Sequence, residues 1–510
     1  MCHTMLLKIA IFVAVIHCLS ADNKCVPRSF GHSSTVCVCN SDSCHMLESI
    51  ETLPTGNYVK YTTNQAGLRF VKEKGVLESK INNAENLIEI GTQTYQEIVG
   101  FGGAFTDATG INIRSLSEDL QDLILRSYFS EEGNEYRLGR VPIGGSDFSL
   151  NPYSYCDTKD NQTDPEFKNF KLANEDYEFK LPFIHTAKEL SNNNLELIAS
   201  LWIAPGWMKT DPEFTASYSF IKSDMYQVYA DYYIKFLDAY KNENVSFWGI
   251  TTGNEPMTAF MPKPIPSVGW FPESQGRWIK ENFGPTLRNS EYKDIKIIGH
   301  DDSTLLVPLI LELMFHDEDV KPYIDGIGLH WYWDFLVGQE RVNETHNEYP
   351  DKFILITEAC NSYILQHVFL GEWEGAERYA GDIIENINNW ASGWIDWNMA
   401  LDMEGGPTFI KNYVDAPIIV NSTANEFYKQ PSYYALSHVS KFAPKGTVRL
   451  QVTSDISGVG VTALMRPDGS VAVIILNTNF EEVEITIRDT IGDISLKLTA
   501  KSITSVVYLR

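Results

Sequence analysis

The stretch Ile250-Thr-Thr-Gly-Asn-Glu-Pro-Met257 ends a β-rich run, 246–252, at the tripeptide Asn254-Glu255-Pro256. Proline fixes its own φ and has no N–H, so a paired strand is not expected to continue through Pro256. Glu255 is therefore predicted to lie at a strand end, where barrel enzymes place catalytic side chains. A second apolar run, Phe353-Ile-Leu-Ile-Thr-Glu358, also ends on a carboxylate. Either carboxylate alone fits a solvated surface group, but the two together indicate the acid pair of a glycosidase.

Strand-like apolar runs alternate with amphipathic helices on both sides of this stretch. The 3.6-residue periodicity predicts helices at 116–129 and 225–240. Candidate strands lie at 98–104, 136–143, 195–202, 246–252, 295–300, 324–330, 352–357 and 391–397. Eight strand–helix units in succession predict parallel strands closed into a (β/α)8 TIM barrel, an α/β fold.

The predicted strand ends carry polar and aromatic side chains. They are Arg140 and Asp147 after the second strand, Trp202 after the third, Asn254 and Glu255 after the fourth, His330 and Tyr332 after the sixth, Glu358 after the seventh, and Trp397 and Asn398 after the eighth. Each alone fits a structural role, such as a core tryptophan or a buried ion pair. Gathered at one end of a barrel, they predict a pocket for a polyhydroxylated ring.

The chain before and after the barrel is rich in β-strand patterns. Residues 58–98 alternate, and so do residues 448–452, 459–465, 471–476, 483–487 and 503–509. We expect both regions to complete one all-β, immunoglobulin-like sandwich, 48–97 plus 447–510, with the barrel, 98–398 plus 431–446, inserted between its halves. A turn-rich segment is expected to join the N-terminus in a small β module, 25–47 plus 399–430.

Four cysteines crowd the start of that module: Cys25, Cys37, Cys39 and Cys44. In an oxidising compartment they predict two disulfides. Cys37 and Cys39 are too close to pair with each other, which leaves 25–37 with 39–44, or 25–39 with 37–44. Zinc is the alternative, but no histidine stands at a supporting spacing, so no metal is predicted. Cys156 and Cys360 are expected to be unpaired.

The first 20 residues predict a cleaved secretory signal. Lys8 precedes a short apolar run, 9–16, and small residues follow at Ser20-Ala21. The run is shorter than a membrane span requires. Four Asn-x-Ser/Thr triplets predict glycosylation at Asn161, Asn244, Asn343 and Asn421.

The formal net charge of −26 opposes binding to polyanions, so nucleic acid is not an expected partner. An acidic surface suits an acidic compartment. The chain has no His-Glu-x-x-His motif and no phosphate-binding glycine loop, and no cofactor is predicted.

Several motifs occur in a family-specific order from Cys25 to Arg510: Cys25-Val-Pro-Arg-Ser-Phe-Gly, Gly100-Phe-Gly-Gly-Ala-Phe-Thr-Asp, Ser127-Tyr-Phe-Ser-Glu-Glu-Gly, His330-Trp-Tyr, Gly393-Trp-Ile-Asp-Trp-Asn and Phe427-Tyr-Lys-Gln-Pro. The chain thereby resembles the lysosomal glucocerebrosidase (acid β-glucosidase) family. The resemblance implies retaining hydrolysis of glucosylceramide, with Glu255 as acid/base and Glu358 as nucleophile, and disulfides 25–37 and 39–44. It also implies a glucose site formed by Arg140, Asp147, Trp202, Asn254, Tyr332, Trp397 and Asn412.

For partners and location, the resemblance implies an anionic membrane surface, a saposin-type activator protein and the lysosome, with secretion as the alternative. The chain departs from the family after Asn254-Glu255-Pro256, where Pro262-Lys-Pro-Ile-Pro266 replaces an aromatic loop. The aglycone is therefore open: a soluble glucan, xylan or plant β-glucoside is the alternative substrate, and an inactive carbohydrate-binding relative is a further alternative. The loop carries Phe260, Met261, Lys263, Ile265, Trp270 and Phe271, which fit either a lipid-facing lip or a loop folded onto the barrel.

Overall fold

The computed structural model describes residues 24–510 except 83, 216, 262–264 and 362–366, so the predicted signal segment 1–20 lies outside the described residues. The described chain begins with strands alone, as the alternating patterns predict. They are β1 (Val26–Arg28), β2 (Val36–Cys39), β3 (Asn57–Asn64), β4 (Val71–Val76) and β5 (Leu87–Glu97).

Eight parallel strands then form a closed barrel, which confirms the predicted fold class. They are β6 (Gly100–Ala104), β7 (Leu138–Ile143), β8 (Glu196–Leu201), β9 (Gly249–Thr251), β10 (Lys296–Ser303), β11 (Gly326–His330), β12 (Phe353–Glu358) and β13 (Ala391–Asn398). The barrel closes where β13 pairs with β6. Glycine is required at this closure, because a Cβ on Gly393 would lie 2.1 Å from the carbonyl oxygen of Gly100.

The barrel helices are α1 (Asp107–Arg114), α2 (Glu118–Phe129), α3 (Leu181–Leu190), α4 (Tyr226–Asn242), α5 (Pro272–Trp278), α6 (Gly284–Arg288), α7 (Leu309–Met314), α8 (Asp334–Val337), α9 (Glu340–Glu348) and α10 (Trp373–Asn388). Short 3-10 turns occur at Lys159–Asn161, Gly206–Met208, Ser223–Met225, Pro256–Phe260, Thr304–Leu306 and Glu318–Tyr323, and π-helical turns at Asp176–Lys180 and Ile279–Phe283. A fully buried apolar layer of Leu138, Ile198, Ile298, Leu355 and Ile395 fills the barrel interior. The barrel is therefore a packed core, and polar side chains are left to the strand ends.

The predicted small module is a five-stranded sheet in the order β1-β2-β16-β15-β14. Its later strands are β14 (Ala400–Asp402), β15 (Ile418–Asn421) and β16 (Glu426–Lys429), and helix α11 (Pro431–Ser440) follows. Cys25 is bonded to Cys37 and Cys39 to Cys44, which decides between the two pairings that the sequence left open. Cys156 and Cys360 are free and buried.

The C-terminal strands are β17 (Val448–Ser454), β18 (Val459–Met465), β19 (Ser470–Asn477), β20 (Val483–Asp489), β21 (Gly492–Leu498) and β22 (Ser502–Leu509). They join the early strands in one nine-stranded sheet, β21-β20-β5-β17-β18-β19-β22-β3-β4. Strands β20 and β21 share one apolar core with β19 and β22, which includes Ile487, Ile494, Val473 and Val506. Strand β21 was missing from the prediction, although Ile494, Leu496 and Leu498 alternate with polar residues there.

The predicted glycosylation sites differ in accessibility. Asn161 and Asn244 are exposed, whereas Asn343 and Asn421 are partly buried. The amide nitrogen of Asn421, the atom a glycan would occupy, donates to the Tyr428 hydroxyl at 3.0 Å. In the part of the chain that the structure describes, no helix has both the length and the apolar character needed to cross a bilayer.

Helix α11 is held to the sandwich by a buried histidine. The two ring nitrogens of His438 lie 2.8 Å from the hydroxyls of Ser505 and Thr63. Burial lowers the pKa of His438 to about 3. The folded protein therefore keeps this ring neutral at pH values where the unfolded chain protonates it.

We expect this histidine to weaken the fold in acid. Because the pKa of His438 is lower in the folded than in the unfolded protein, its full contribution to the free energy of unfolding is present above about pH 6.5. The contribution is lost as pH falls from about 6.5 towards 3, and the loss at pH 5 is about 2 kcal/mol. Urea unfolding at pH 7.5 and pH 5 measures the loss. His438→Gln should reduce the difference between the two pH values, and His316→Gln, at an exposed histidine, should not. Equal pH dependence in native protein and His438→Gln would contradict the argument.

Candidate active site

Glu255 is held at the C-terminal end of the barrel by its backbone. The residue has φ 43° and ψ 57°, a left-handed conformation that is unusual for a side chain of this size. Its N–H donates to the carbonyl of Asp301 at 3.0 Å, and its own carbonyl accepts from the N–H of Thr258 at 3.0 Å. These two bonds turn the chain out of β9 and direct it into the 3-10 turn at Pro256.

Arg140, on β7, is the fully buried centre of the site. Its guanidinium donates to Oε2 of Glu358, to Oδ2 of Asp301 at 2.8 Å and to Oδ1 of Asn254 at 2.9 Å. Burial disfavours the charged guanidinium, but the two carboxylates outweigh it and raise the pKa of Arg140. The cation therefore links β7 to β10, to the end of β12 and to the segment after β9.

His330, at the end of β11, forms the second bridge. Its Nδ1 lies 2.8 Å from Oε1 of Glu255, and its Nε2 lies 3.2 Å from Oδ1 of Asp301. Burial lowers the pKa of this ring, but Glu358, Asp301 and Glu255 together raise it to about 10. His330 is therefore a cation that donates one N–H to Glu255 and the other to Asp301.

Glu358 ends β12 with only 6% of its surface exposed. Its Oε1 accepts from the hydroxyl of Tyr332 at 2.9 Å, while Arg140 holds the other oxygen. Burial raises the pKa of Glu358, and the charges of His330 and Arg140 oppose the rise. The carboxylate is thus fixed by a phenol and a guanidinium, with its charge balanced by two cations.

Two carboxylates of the site face weaker partners. Burial, followed by the charge of Glu358, raises the pKa of Asp147 to about 7. Burial, followed by the charge of Glu255, raises that of Asp302 to about 7. At pH 5 both groups are therefore protonated and can donate as well as accept hydrogen bonds.

The predicted sugar-site residues fall into two groups. Trp202 and Trp397 stack on each other with ring centroids 4.9 Å apart, and the Arg140 guanidinium lies 4.5 Å from the Trp202 ring centroid. At the pocket edge, the amide of Asn412 donates to Oδ2 of Asp147 at 3.2 Å. Asn398, a predicted strand-end residue, accepts from Thr106 at 2.7 Å and helps to fix the start of α1.

Sequence reasoning missed the residues that organise these groups. Asp301 is fully buried; burial opposes its ionisation, but Arg140 and His330 outweigh burial and lower its pKa. Ser200 donates to Asp301 at 2.6 Å, and the thiol of Cys360 lies 3.3 Å from the Tyr332 hydroxyl. The one available signal was Asp301-Asp302 at the end of a predicted strand, the same signal that identified Glu255.

The catalytic candidates lie close together. Single ligand atoms of Glu255, His330 and Glu358 lie within 4.8 Å of one another, a spacing that a metal ion could also use. A histidine ligand must be neutral and offer a free lone pair, whereas the raised pKa of His330 keeps both nitrogens protonated. A metal would therefore have to displace a proton from His330, whereas the group as it stands suits acid–base chemistry.

We call the two loops that follow β9 and β11, at the C-terminal end of the barrel, the entrance; both expose large apolar side chains. Exposed ones follow β11 at Trp333 (47%), Phe335 (80%) and Leu336 (59%), and follow β9 at Met261 (43%) and Phe271 (54%). Trp270 is only 2% exposed and stacks on Trp278 at 5.3 Å, which agrees with the alternative of a loop folded onto the barrel at this residue. Phe260 packs beneath Phe271 and Phe220, and Lys263 lies outside the described residues.

Residues 98–443 match the glycosyl hydrolase family 30 TIM-barrel domain, and residues 446–506 match the glycosyl hydrolase family 30 beta sandwich domain. Lysosomal acid glucosylceramidase of Mus musculus is 39% identical over 475 residues, with 91% of each chain covered. Putative glucosylceramidase 4 of Caenorhabditis elegans is 37% identical, with 93% of each covered.

Among solved structures, SrfJ from Salmonella typhimurium superposes with a TM-score of 0.83 at 24% identity, covering 89% of this chain and all of that one. This structural likeness supports the fold, whereas the family assignment rests on the matching domains and the sequence relatives. They confirm the family resemblance that the ordered motifs predict. The chain is a glycoside hydrolase and belongs to glycosyl hydrolase family 30.

Proposed function

We propose that this glycoside hydrolase cleaves β-glucosides with retention of configuration. The observation that carries the proposal is the short separation of the two carboxylates, with an oxygen of Glu255 within 4.8 Å of one of Glu358. Retaining glycosidases hold their carboxyl groups about 5 Å apart, whereas inverting enzymes leave about 6.5–9.5 Å for a water. The short distance between these oxygens therefore supports the retaining arrangement.

In the first step, Glu358 attacks the anomeric carbon and Glu255 gives its proton to the leaving oxygen. The bond from that carbon to the oxygen breaks as the glucosyl ester on Glu358 forms. In the second step, Glu255 removes a proton from water, the water oxygen bonds to the anomeric carbon, and the ester breaks. The free β-glucose and both carboxyl groups are thereby regenerated.

The neighbours of each carboxylate suit these roles. Arg140 and the Tyr332 hydroxyl bind the two oxygens of Glu358, which favours the charged nucleophile and fixes its direction. His330 donates to Oε1 of Glu255 and leaves Oε2 to carry the transferable proton. Glu255 thus keeps one oxygen for the proton, and each oxygen of Glu358 keeps a second lone pair that can attack.

The remaining predicted site residues are assigned to the glucose ring. Asp147 and Asn412 form a hydrogen-bonded pair whose acceptor and donor groups suit adjacent hydroxyls. Arg140 donates to the side-chain oxygen Oδ1 of Asn254, so the NH2 group of the same amide is free to donate to a sugar oxygen. Trp202 and Trp397 provide a stacked apolar wall beside Glu358.

Glucosylceramide is the substrate we favour. Its sugar lies at a membrane surface, and the entrance presents apolar side chains on two loops that flank the carboxylates. The name of the mouse relative supports the same substrate and a lysosomal location. We further propose peripheral contact with anionic lipid, with a saposin-type activator as a candidate helper. The altered loop after Pro256 keeps a soluble glucan as the alternative substrate.

Glu255→Gln tests the acid role. We expect kcat/KM to fall by about 10²–10⁴-fold on a glucoside with a poor leaving group and far less on an activated aryl glucoside, because a good leaving group needs little protonation. Added azide should restore turnover of Glu255→Ala on the aryl substrate by attacking the glucosyl ester. Glu340→Gln, on an outer barrel helix, is the control. Equal losses on both substrates would argue against general acid catalysis.

Phe335→Ser combined with Leu336→Ser tests the membrane role. Since both side chains are exposed at the entrance, we expect slower hydrolysis of glucosylceramide in anionic vesicles at pH 5 and unchanged hydrolysis of a soluble aryl β-glucoside. Phe480→Ser is the matched control, because Phe480 is also 80% exposed but lies in the sandwich. Unchanged activity of the double variant on vesicles would mean that these two side chains do not contact the membrane. Faster hydrolysis of soluble glucans than of glucosylceramide by the native protein would favour the alternative substrate.

A further inference from the structure

A cavity lies at the N-terminal end of the barrel, opposite to the end that carries the catalytic carboxylates. Residues that precede or begin four barrel strands line it: Val99 before β6, Glu196 in β8, Trp248 before β9 and Phe353 in β12. Tyr95, near the end of β5, belongs to the same lining, so the sandwich forms part of the wall. We call this the basal cavity. Its volume of about 560 Å³ falls within the range of small-molecule sites, about 300–1,000 Å³.

Aromatic rings form the apolar part of the basal cavity. Trp248 and Phe353 are half-buried, lie with ring centroids 5.4 Å apart and pack against the apolar layer of the barrel interior. The His346 ring stacks on Trp390 at 3.8 Å, and both of these rings also line the cavity. Trp248 lines a neighbouring cavity of about 410 Å³ as well, so its indole adjoins open space besides its contact with Phe353. Aromatic surface of this kind suits the C–H face of a sugar ring.

The indole N–H of Trp248 is available to a ligand. Trp207 and Trp278 each donate the same group to a backbone carbonyl, at 2.9 and 3.0 Å. In the described part of the chain the N–H of Trp248 has no hydrogen-bond partner, and the half-buried side chain leaves this group accessible. A donor therefore lies beside the aromatic surface, which is the combination that a polyhydroxylated ring requires.

Ion pairs add polar groups to the same lining. The Nζ of Lys445 lies 3.4 Å from Oε1 of Glu196, and these two side chains are 69% and 28% exposed. The Nζ of Lys352 lies 2.7 Å from Oδ2 of Asp351. An ammonium has three donors and a carboxylate has about four acceptor positions, so each pair keeps capacity for further hydrogen bonds.

The charges around the basal cavity balance, although the chain as a whole carries a formal net charge of −26. Three acidic and three basic residues line it: Glu97, Glu196, Asp351, Arg137, Lys352 and Lys445. Burial, together with the charge of Arg449, lowers the pKa of His346, so this ring is neutral at pH 7. A strongly charged ligand gains no net attraction from such a wall, whereas a neutral ligand rich in hydroxyl groups finds both donors and acceptors.

We propose that the basal cavity binds a neutral oligosaccharide of hexose units without cleaving it. Trp248 and Phe353 pack against a sugar ring, and the indole N–H and the Glu196–Lys445 pair bond to its hydroxyls. The catalytic glutamates lie at the other end of the barrel, so a sugar bound here is out of their reach. The site thus holds a glucan chain or a protein-linked glycan while the catalytic pocket stays open to substrate.

Calorimetric titration of the protein with two probes tests the proposal. Cellotetraose in which sulfur replaces the glycosidic oxygens resists hydrolysis and represents a glucan, and chitotetraose represents the N-acetylglucosamine core of a protein-linked glycan. We expect saturable binding of at least one probe, and the probe that binds identifies the source of the sugar. Trp248→Ala should weaken this binding about tenfold, and Trp248→Phe should weaken it less, because a ring remains. The readout is binding, so the result does not depend on the proposed hydrolysis.

Trp202→Ala separates the basal cavity from the catalytic pocket, where Trp202 lies. Binding that survives Trp202→Ala but is weakened by Trp248→Ala belongs to the basal cavity. Lys445→Glu, at an exposed side chain, places two carboxylates together at the cavity and should also weaken binding without affecting the core. Lys168→Glu is the matched control, because Lys168 forms an exposed ion pair with Glu166 at 2.8 Å and does not line the cavity.

The Tm of each variant, compared with that of the native protein, shows whether the variant is folded, and Lys445→Glu carries the test if Trp248→Ala is not. Two results overturn the site. One is the absence of saturable binding of either probe by Trp202→Ala. The other is equal affinity of the native protein and Lys445→Glu for the probe that binds.

Discussion

The bonds from the Arg140 guanidinium to Glu358 and Asp301 are the interaction on which the active site depends. All three side chains are buried, and loss of one partner from such a group typically costs about 3–5 kcal/mol. Their strands are not neighbours in the barrel: β7, β10 and β12 meet through these side chains only because the barrel is closed. The closed barrel brings these three side chains together, and their ion pairs in turn stabilise the closed barrel. A change that breaks either would leave buried charges unpaired.

The charges of the site add up in a way that agrees with the proposed roles. Arg140 and His330 are cations, and they balance two carboxylates, Asp301 and Glu358. In the proposed first step Glu255 starts with its proton, so this set of groups would start neutral. After proton transfer, Glu358 has lost its charge to the glucosyl ester and Glu255 has gained one, so the sum is unchanged. The buried site thus completes the step without changing its net charge, which avoids a desolvation cost.

Strand periodicity and strand ends allowed the sequence to predict the barrel, the sandwich, the small module and the positions of Glu255 and Glu358 at one barrel end. Strand β21 was missed although its alternation is visible, because a tight turn separates it from β20 by two residues. Asp301 was overlooked although Asp301-Asp302 follows a predicted strand, and the bridging role of His330 could not be predicted, since it arises only when segments far apart in the sequence meet. For Trp270 the sequence left two alternatives open, because an aromatic residue in a loop looks the same in sequence whether it faces solvent or packs on a helix, and the structure favours packing.

The glucosyl ester on Glu358 is the central claim of the mechanism, and trapping it is the most direct test. The native protein would be treated with a cyclophellitol-type inactivator, which forms a stable ester with the attacking carboxylate, and then digested and mapped by mass spectrometry. The account predicts one added group per chain, on Glu358, in native protein and none in Glu358→Gln. A label on Glu255 or on any other residue, or an unlabelled native protein that still hydrolyses aryl β-glucosides, would contradict it.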